Sequence, residues 1–110
     1  KVLADGTATV VATDGSAGSH AWWDGSAEAP QHAFVPAFSG VEIVSTLGAG
    51  DVFHGGLLAA ICRDETWEQA LRSANATAAL SCRALDGRSA IPDFAELSRF
   101  LDPAAGQPAL

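Results

Sequence analysis

Lysine is almost absent from this sequence, and positive charge in general is scarce. The 110 residues contain 13 acidic and 6 basic side chains, Lys1 is the single lysine, and the net charge is −7. Proteins that bind nucleic acid neutralise its phosphates with clustered lysine and arginine. No such cluster exists here, so we expect no nucleic-acid partner. A basic amphipathic helix that could lie on a membrane is missing for the same reason.

Cysteines and long apolar runs are also scarce. Cys62 and Cys82 are the two cysteines, and they lie far apart inside helical patterns. We interpret them as reduced, buried side chains of a cytoplasmic protein. No apolar run is long enough to span a bilayer, and no signal-peptide pattern stands at the start. The sequence therefore predicts cytoplasmic localisation and no membrane partner.

The composition is otherwise that of a globular domain. Hydrophobic residues make up 48% of the chain, and alanine dominates the second half. A chain of 110 residues allows one small domain with a modest core. Alanine-rich helices pack closely against other elements, so we expect part of the packing partner to lie outside this chain.

The first half has the pattern of short strands separated by turns. Residues 8–13 form an apolar, β-branched run, residues 14–19 are rich in glycine and serine, and residues 20–23 are predicted to return as a second strand. Further strands are predicted at residues 31–35 and 41–44.

The second half changes to helical spacing. Apolar residues recur three or four positions apart over residues 50–62, and Thr66 with Gln69 forms a capping box at the start of a second helix. This helix is predicted to bury one stripe of residues, consisting of Trp67, Ala70, Leu71, Ala74, Ala78 and Cys82.

A third helix is predicted to begin at Pro92-Asp93 and to bury Phe94, Leu97 and Leu101. Residues 103–110 have no periodicity, and we expect them to be a frayed tail. Strands followed by helices indicate an α/β fold. No linker divides the chain, so residues 1–110 are predicted to be one partial domain.

The chemistry is concentrated between the last predicted strand and the first helix. Residues 46–51 read T-L-G-A-G-D. Glycines let the backbone approach a ligand, and the free amides of a helix start attract an anion. Asp51 in the first turn is a candidate proton acceptor for a hydroxyl that attacks a phosphoryl group. The alternative is a plain tight turn with a helix-start residue.

Two better-known phosphate motifs do not fit this segment. It lacks the lysine of the G-x-x-x-x-G-K-[ST] loop, and its third glycine is misplaced for a G-x-G-x-x-G dinucleotide fingerprint. His20 and His32 have no companions with metal-ligand spacing, so we predict no metal held by the protein alone.

Residues 46–56, T-L-G-A-G-D-V-F-H-G-G, resemble the second signature of the ribokinase-like (PfkB) carbohydrate kinases. Residues 10–19 resemble the strand and turn that the family uses beside the ATP phosphates. Residues 70–80 resemble its helix flanking the adenine, and residues 87–92 its loop before the last helix. The resemblance implies the C-terminal nucleotide-binding part of a three-layer α/β/α sandwich of the ribokinase-like fold.

Site residues follow from this resemblance position by position. Asp51 corresponds to the catalytic base that takes the proton of the sugar hydroxyl. The resemblance also implies an anion hole formed by Gly48, Ala49 and Gly50. It further implies that ATP is contacted by Thr13, Gly15, Gly18 and Asn75. For Asn75, an exposed polar position on a helix is the alternative.

The chain also departs from the family pattern. Ser45 stands where most members have aspartate, Ala90 lies near a position where many have a hydroxyl side chain, and Asp86 replaces a common glycine. The first two positions belong to a monovalent-cation site in some members, so a need for such a cation stays open. Family members are also considerably longer, and their N-terminal portion binds the sugar.

The implied function is ATP-dependent phosphorylation of a sugar hydroxyl, with Mg²⁺ brought in on the nucleotide. ATP and a small sugar are the expected ligands, and a nucleoside is the close competitor. A homodimer or the absent N-terminal portion is the expected protein partner. The alternative is a non-catalytic nucleotide-binding remnant. In either case we expect the isolated chain to be inactive.

Overall fold

The structure is a computed structural model that describes residues 9–23 and 31–102. Strands come first and helices follow, as predicted: β1 (Thr9–Thr13), β2 (Gly18–Trp23), β3 (Gln31–Pro36), α1 (Ala49–Cys62), α2 (Trp67–Ser81) and α3 (Phe94–Leu101), with one 3-10 turn at Gly15–Ala17. The predicted frayed tail at residues 103–110 lies outside the described part. None of the three described helices is long and apolar enough to cross a membrane.

The three strands form an antiparallel sheet in the order β1-β2-β3. Ala21 in β2 is paired with Val11 and with Ala33, and the two alanines are buried on the face that the helices cover. Trp23 packs on this face against Trp67, whereas Trp22 lies on the opposite face and stacks on His32. The alternation of side chains along a strand accounts for this arrangement.

The predicted turn at residues 14–19 is too long, because Gly18 and Ser19 belong to β2. Gly18 has a φ of 130°, and a Cβ at this position would lie 2.8 Å from the Cα of Pro36. A glycine is therefore needed where β2 passes closely beside the end of β3. The hydroxyl of Ser19 is fully buried and donates to Asn75.

Helix α2 is the central element of the fold. Its N-terminus has the predicted capping box, in which Gln69 N donates to Thr66 Oγ1 and Thr66 N donates to Gln69 Oε1. The prediction of one buried stripe was too narrow. Because α2 packs against α1, α3, β2 and β3, the helix is buried on most sides, including Ser73, Asn75, Ala76, Thr77 and Ser81.

Small residues allow α1 and α2 to pack closely. A Cβ at Gly56 would lie 3.1 Å from Cβ of Thr77, and Ala74 is fully buried beneath it. Phe53, Leu57 and Ala60 of α1 complete this part of the core, at the helical spacing that the sequence indicated.

Three smaller predictions were wrong. Phe94 is exposed, with the guanidinium of Arg63 over its ring at 4.6 Å from the ring centre, because α3 presents Leu97 and not Phe94 to the core. Cys62 is exposed near the end of α1, and Cys82 alone is buried. Residues 41–44 form no strand.

The amides of Val44 and Ser45 explain that last difference. Both donate to the carbonyl oxygen of Cys82, at 2.7 and 3.0 Å. They therefore satisfy a free carbonyl at the C-terminal end of α2 rather than pairing with a neighbouring strand. The segment leading into α1 is held by a helix end and not by the described sheet.

The side chain of Asn75 joins α2 to the sheet. Its Nδ2 donates to the carbonyls of Val35 and Pro36 at 3.0 and 3.2 Å, and its Oδ1 accepts from Ser19 at 2.9 Å. We expect Asn75→Ala to lower the free energy of unfolding by about 1–3 kcal/mol, because it leaves the buried Ser19 hydroxyl without its acceptor. Urea denaturation of the purified protein measures this change.

The exposed Glu68 on the same helix offers the control, and Glu68→Ala should change the free energy of unfolding by about 0.5 kcal/mol or less. Equal effects of the two substitutions would show that Asn75 does not join the helix to the sheet.

Candidate functional site

The candidate site lies at the N-terminus of α1. Gly48 has a φ of 75°, the left-handed conformation that glycine adopts without strain, and the helix begins at Ala49. The amide of Ala49 donates to Thr46 O at 3.1 Å, and Val52 N donates to Gly48 O at 3.0 Å. The sharp turn predicted from the two glycines is thus present. The helix begins at Ala49, one residue earlier than predicted.

Two amides of this helix start are available to a ligand. Within residues 9–23 and 31–102, the N–H groups of Gly50 and Asp51 have no hydrogen-bond acceptor. Together with the positive end of the helix dipole they favour a phosphate or a developing anion. Asp51 itself is exposed in the first turn, next to these amides.

A cavity of about 390 Å³ opens beside this helix start. It lies between the β1–β2 turn, the first turn of α1 and the second half of α2. Six of the eight predicted site residues line it, namely Thr13, Gly15, Gly18, Ala49, Gly50 and Asn75. The other two, Gly48 and Asp51, flank Ala49 and Gly50 in the chain. Segments that are far apart in the sequence are thereby brought to one cavity of ligand-binding size.

The glycines of the site serve different purposes. Gly48 has a positive φ, and Gly18 is required by the close approach of β3. Gly50 has neither reason: its φ is ordinary for a helix, and a Cβ built on it meets no atom of the described residues within 4 Å outside the backbone of its own helix. Glycine costs a helix about 1 kcal/mol relative to alanine. Gly50 lines the cavity, so its missing side chain leaves space there that a ligand could occupy.

The alternative prediction for Asn75 was an exposed polar position on a helix. The structure contradicts this alternative, because Asn75 is buried. Its amide is bonded to Ser19 and to the end of β3, so the residue shapes the cavity wall as well as lining it. A helical asparagine with a distant partner has no signature in the sequence, and only the packing of α2 on the sheet reveals it.

The sequence did not indicate the apolar lining of the cavity. Phe38 and Ile43 come from the connection between β3 and α1, and Ala78, Ala79 and Cys82 from α2. Among the residues that the structure describes, none that lines the cavity carries a charged side chain. A phosphate here would be bound by backbone amides, with neutralising charge supplied by another source. The alanine-rich pattern of α2 was the one available signal for this wall.

His54 lies one turn beyond Asp51 and is exposed, with its Nδ1 2.8 Å from the carbonyl oxygen of Gly50. His20 and His32 are 2.9 Å apart on the sheet face opposite α2 and do not line the cavity. Among the described residues, no three metal-ligating side chains of His, Cys, Asp or Glu come together.

Sequence comparison identifies a family match. The model of the pfkB family of carbohydrate kinases matches residues 1–93. Ribokinase of Haemophilus influenzae is 34% identical over 64 residues, which are 58% of this chain and 21% of that protein. Aminoimidazole riboside kinase of Salmonella typhimurium is 39% identical over 66 residues, which are 56% of this chain and 21% of that protein.

Structural comparison agrees. A candidate Ribokinase II from E. coli, solved in complex with ATP and Mg²⁺, superposes with a TM-score of 0.81 and 25% identity over 92% of this chain and 31% of that one. The predicted ribokinase-like fold is therefore confirmed. The chain spans about a fifth of the length of the curated relatives.

Gly50 and Gly55 form a matched pair for testing the cavity. Both lie in α1 with open space around a built Cβ, but only Gly50 lines the cavity. We expect each glycine-to-alanine substitution to raise the free energy of unfolding by up to about 1 kcal/mol, through helix propensity. Gly50→Ala should also weaken nucleotide binding, measured by calorimetry, whereas Gly55→Ala should not. Equal affinities for the two variants would exclude a ligand next to Gly50.

Proposed function

Because the chain belongs to the pfkB family of carbohydrate kinases, we propose that it forms the nucleotide-binding and catalytic part of an enzyme that transfers the γ-phosphoryl group of ATP to a sugar hydroxyl. The observation that carries this proposal is Gly50, a helical glycine on the cavity wall that the packing of the described residues does not require. Its own amide and that of the adjacent Asp51 are the two free amides of the helix start.

The proposed chemistry uses the helix start in two ways. The amides of Gly50 and Asp51 bind the oxygens of the phosphoryl group as charge moves onto them. The carboxylate of Asp51 accepts the proton of the attacking hydroxyl. The free amides and the Asp51 carboxylate belong to the same helical turn, so the backbone that positions the amides also positions the carboxylate. Positioning and charge stabilisation are the main requirements of phosphoryl transfer.

The nucleotide is proposed to lie in the cavity of about 390 Å³, with its phosphates towards α1. Thr13, Gly15 and Gly18 form the wall at the β1–β2 turn, and Asn75 with its neighbouring alanines forms the wall along α2. The apolar side chains that line the cavity suit the uncharged nucleobase of the nucleotide. Mg²⁺ bound to the nucleotide would supply the positive charge that the lining lacks.

The hydroxyl-bearing substrate is proposed to be a sugar or a nucleoside. The relatives support both classes, because one is named a ribokinase and another a riboside kinase. The matched regions are about a fifth of those proteins, so we place the sugar-binding residues in the remainder of a longer enzyme. The isolated chain is then a partial domain without measurable kinase activity.

Asp51 and Asp64 lie near opposite ends of α1 and provide a matched test. In the complete enzyme, Asp51→Asn should lower kcat by roughly 10²–10⁴-fold, the usual contribution of a general base. ATP affinity should change little, because the anion-binding groups are backbone amides. Steady-state kinetics and nucleotide titration measure the two effects separately.

Asp64→Asn removes the same charge at a position with a φ of 59°, which asparagine tolerates well. It should leave kcat unchanged. If Asp51→Asn retains normal turnover, Asp51 is a helix-start residue and not the base. The non-catalytic alternative requires nucleotide binding without sugar phosphorylation by the complete protein.

A further inference from the structure

The loop between α2 and α3 presses on the chain that leads into the candidate site. Gly87 is buried between exposed neighbours and has a φ of 71°. A Cβ on Gly87 would collide with the carbonyl oxygen of Leu47 and lie 3.2 Å from its carbonyl carbon. The two backbones are therefore in direct contact, immediately before Gly48.

Asp86 holds the turn in which Gly87 lies. Its Oδ1 accepts three hydrogen bonds, from Arg88 N, Ser89 N and Ser89 Oγ, each at 2.9 Å. These bonds, the amide of Ser89 first and that of Arg88 second, lower the pKa of Asp86 to about 2. Because its pKa is lowered, the Asp86 carboxylate stays charged, and able to accept all three bonds, at pH values below the ordinary range for aspartate as well as at neutral pH.

The segment before α1 depends on this loop for its position. Val44 N and Ser45 N donate to Cys82 O, Leu47 lies against Gly87, and a Cβ on Gly48 would be nearest to Gly87 O, at 3.9 Å. Along the chain, the contact with Gly87 comes after the hydrogen bonds to Cys82 and directly before the free amides of Gly50 and Asp51.

We propose that Asp86 is a positioning residue, which holds Gly87 against Leu47 and thereby fixes the direction of the Gly50 and Asp51 amides. This inference rests on the proposed kinase function for its effect on turnover, but its structural part is independent of that function. Asp86 does not line the cavity, and it acts through the turn that it holds and through the backbone contact between Gly87 and Leu47.

The test compares three substitutions in the complete protein that carries this chain. Asp86→Ala removes all three bonds, and Asp86→Asn keeps an oxygen acceptor for them. Asp93→Ala is the matched control, since Asp93 caps α3 through Glu96 N at 2.7 Å and, among the described residues, has no hydrogen bond to residues 44–48. For each variant, kcat, both KM values, the melting temperature and hydrogen exchange of the peptide covering residues 45–52 are measured.

We expect Asp86→Ala to lower kcat by about 10- to 100-fold, the scale of a small misplacement at a reacting centre. KM for the sugar should stay unchanged, and exchange over residues 45–52 should become faster. Asp86→Asn should restore most of both properties. Asp93→Ala should lower the melting temperature without changing kcat or that exchange. If Asp86→Ala does not fold, Ser89→Ala, which removes one of the three bonds, should give a smaller acceleration of the same exchange.

Equal kcat and equal exchange in Asp86→Ala and Asp93→Ala would overturn the inference. Failure of the proposed function has a different signature: Asp51→Asn then keeps full turnover, or the complete protein has no kinase activity. Faster exchange over residues 45–52 in Asp86→Ala alone would still support the positioning role in that case.

Discussion

The burial of helix α2 on most of its sides is the constraint on which the candidate site depends. Its small residues bring α1 close, through the contact between Gly56 and Thr77, and its Asn75 binds the ends of β2 and β3. These two contacts set the distance between the β1–β2 turn and the start of α1. The cavity is the space that remains between them, so its size follows from the packing of one helix.

The site is built mainly from backbone groups. Free amides, positive-φ glycines and apolar side chains line or flank the cavity, and the carboxylate of Asp51 lies in the first turn of α1 beside it. Such a site needs an accurate backbone more than particular side chains, because an amide cannot change its direction by choosing another rotamer. This explains why the approach to α1 is held by Cys82 and Gly87 as well as by its own turn.

The described chain leaves apolar surface without cover. Phe34 on the outer face of the sheet and Leu58 and Ile61 of α1 are exposed. In the described residues, helices cover one face of the sheet, whereas a three-layer sandwich covers both. This agrees with the limited share of the related structures that the chain matches, about 31%. The remaining layer is proposed to come from the rest of a longer enzyme, and its contacts would then bury this surface.

Local patterns in the sequence determined much of the structure. The capping box of Thr66 and Gln69, the helical spacing of Phe53 and Leu57 and the strand pattern before Thr13 each depend on residues within one or two turns. The glycines before Asp51 likewise predicted the sharp turn, because a positive φ is a local property. All of these predictions rest on interactions between near neighbours in the chain, which a single sequence displays.

Only the tertiary structure decided the rest, because it depends on contacts between distant residues. Residues 44 and 45 bond to the end of α2 instead of forming a strand, Phe94 lies exposed under Arg63, and Asn75 is buried through partners 39 to 56 positions away. The different roles of the glycines also depend on the tertiary structure. In the sequence, nothing distinguishes Gly18, Gly48 and Gly50 from one another. Packing reveals that the first accommodates a neighbouring strand, the second a turn and the third an open cavity, because only the folded chain places other atoms around them.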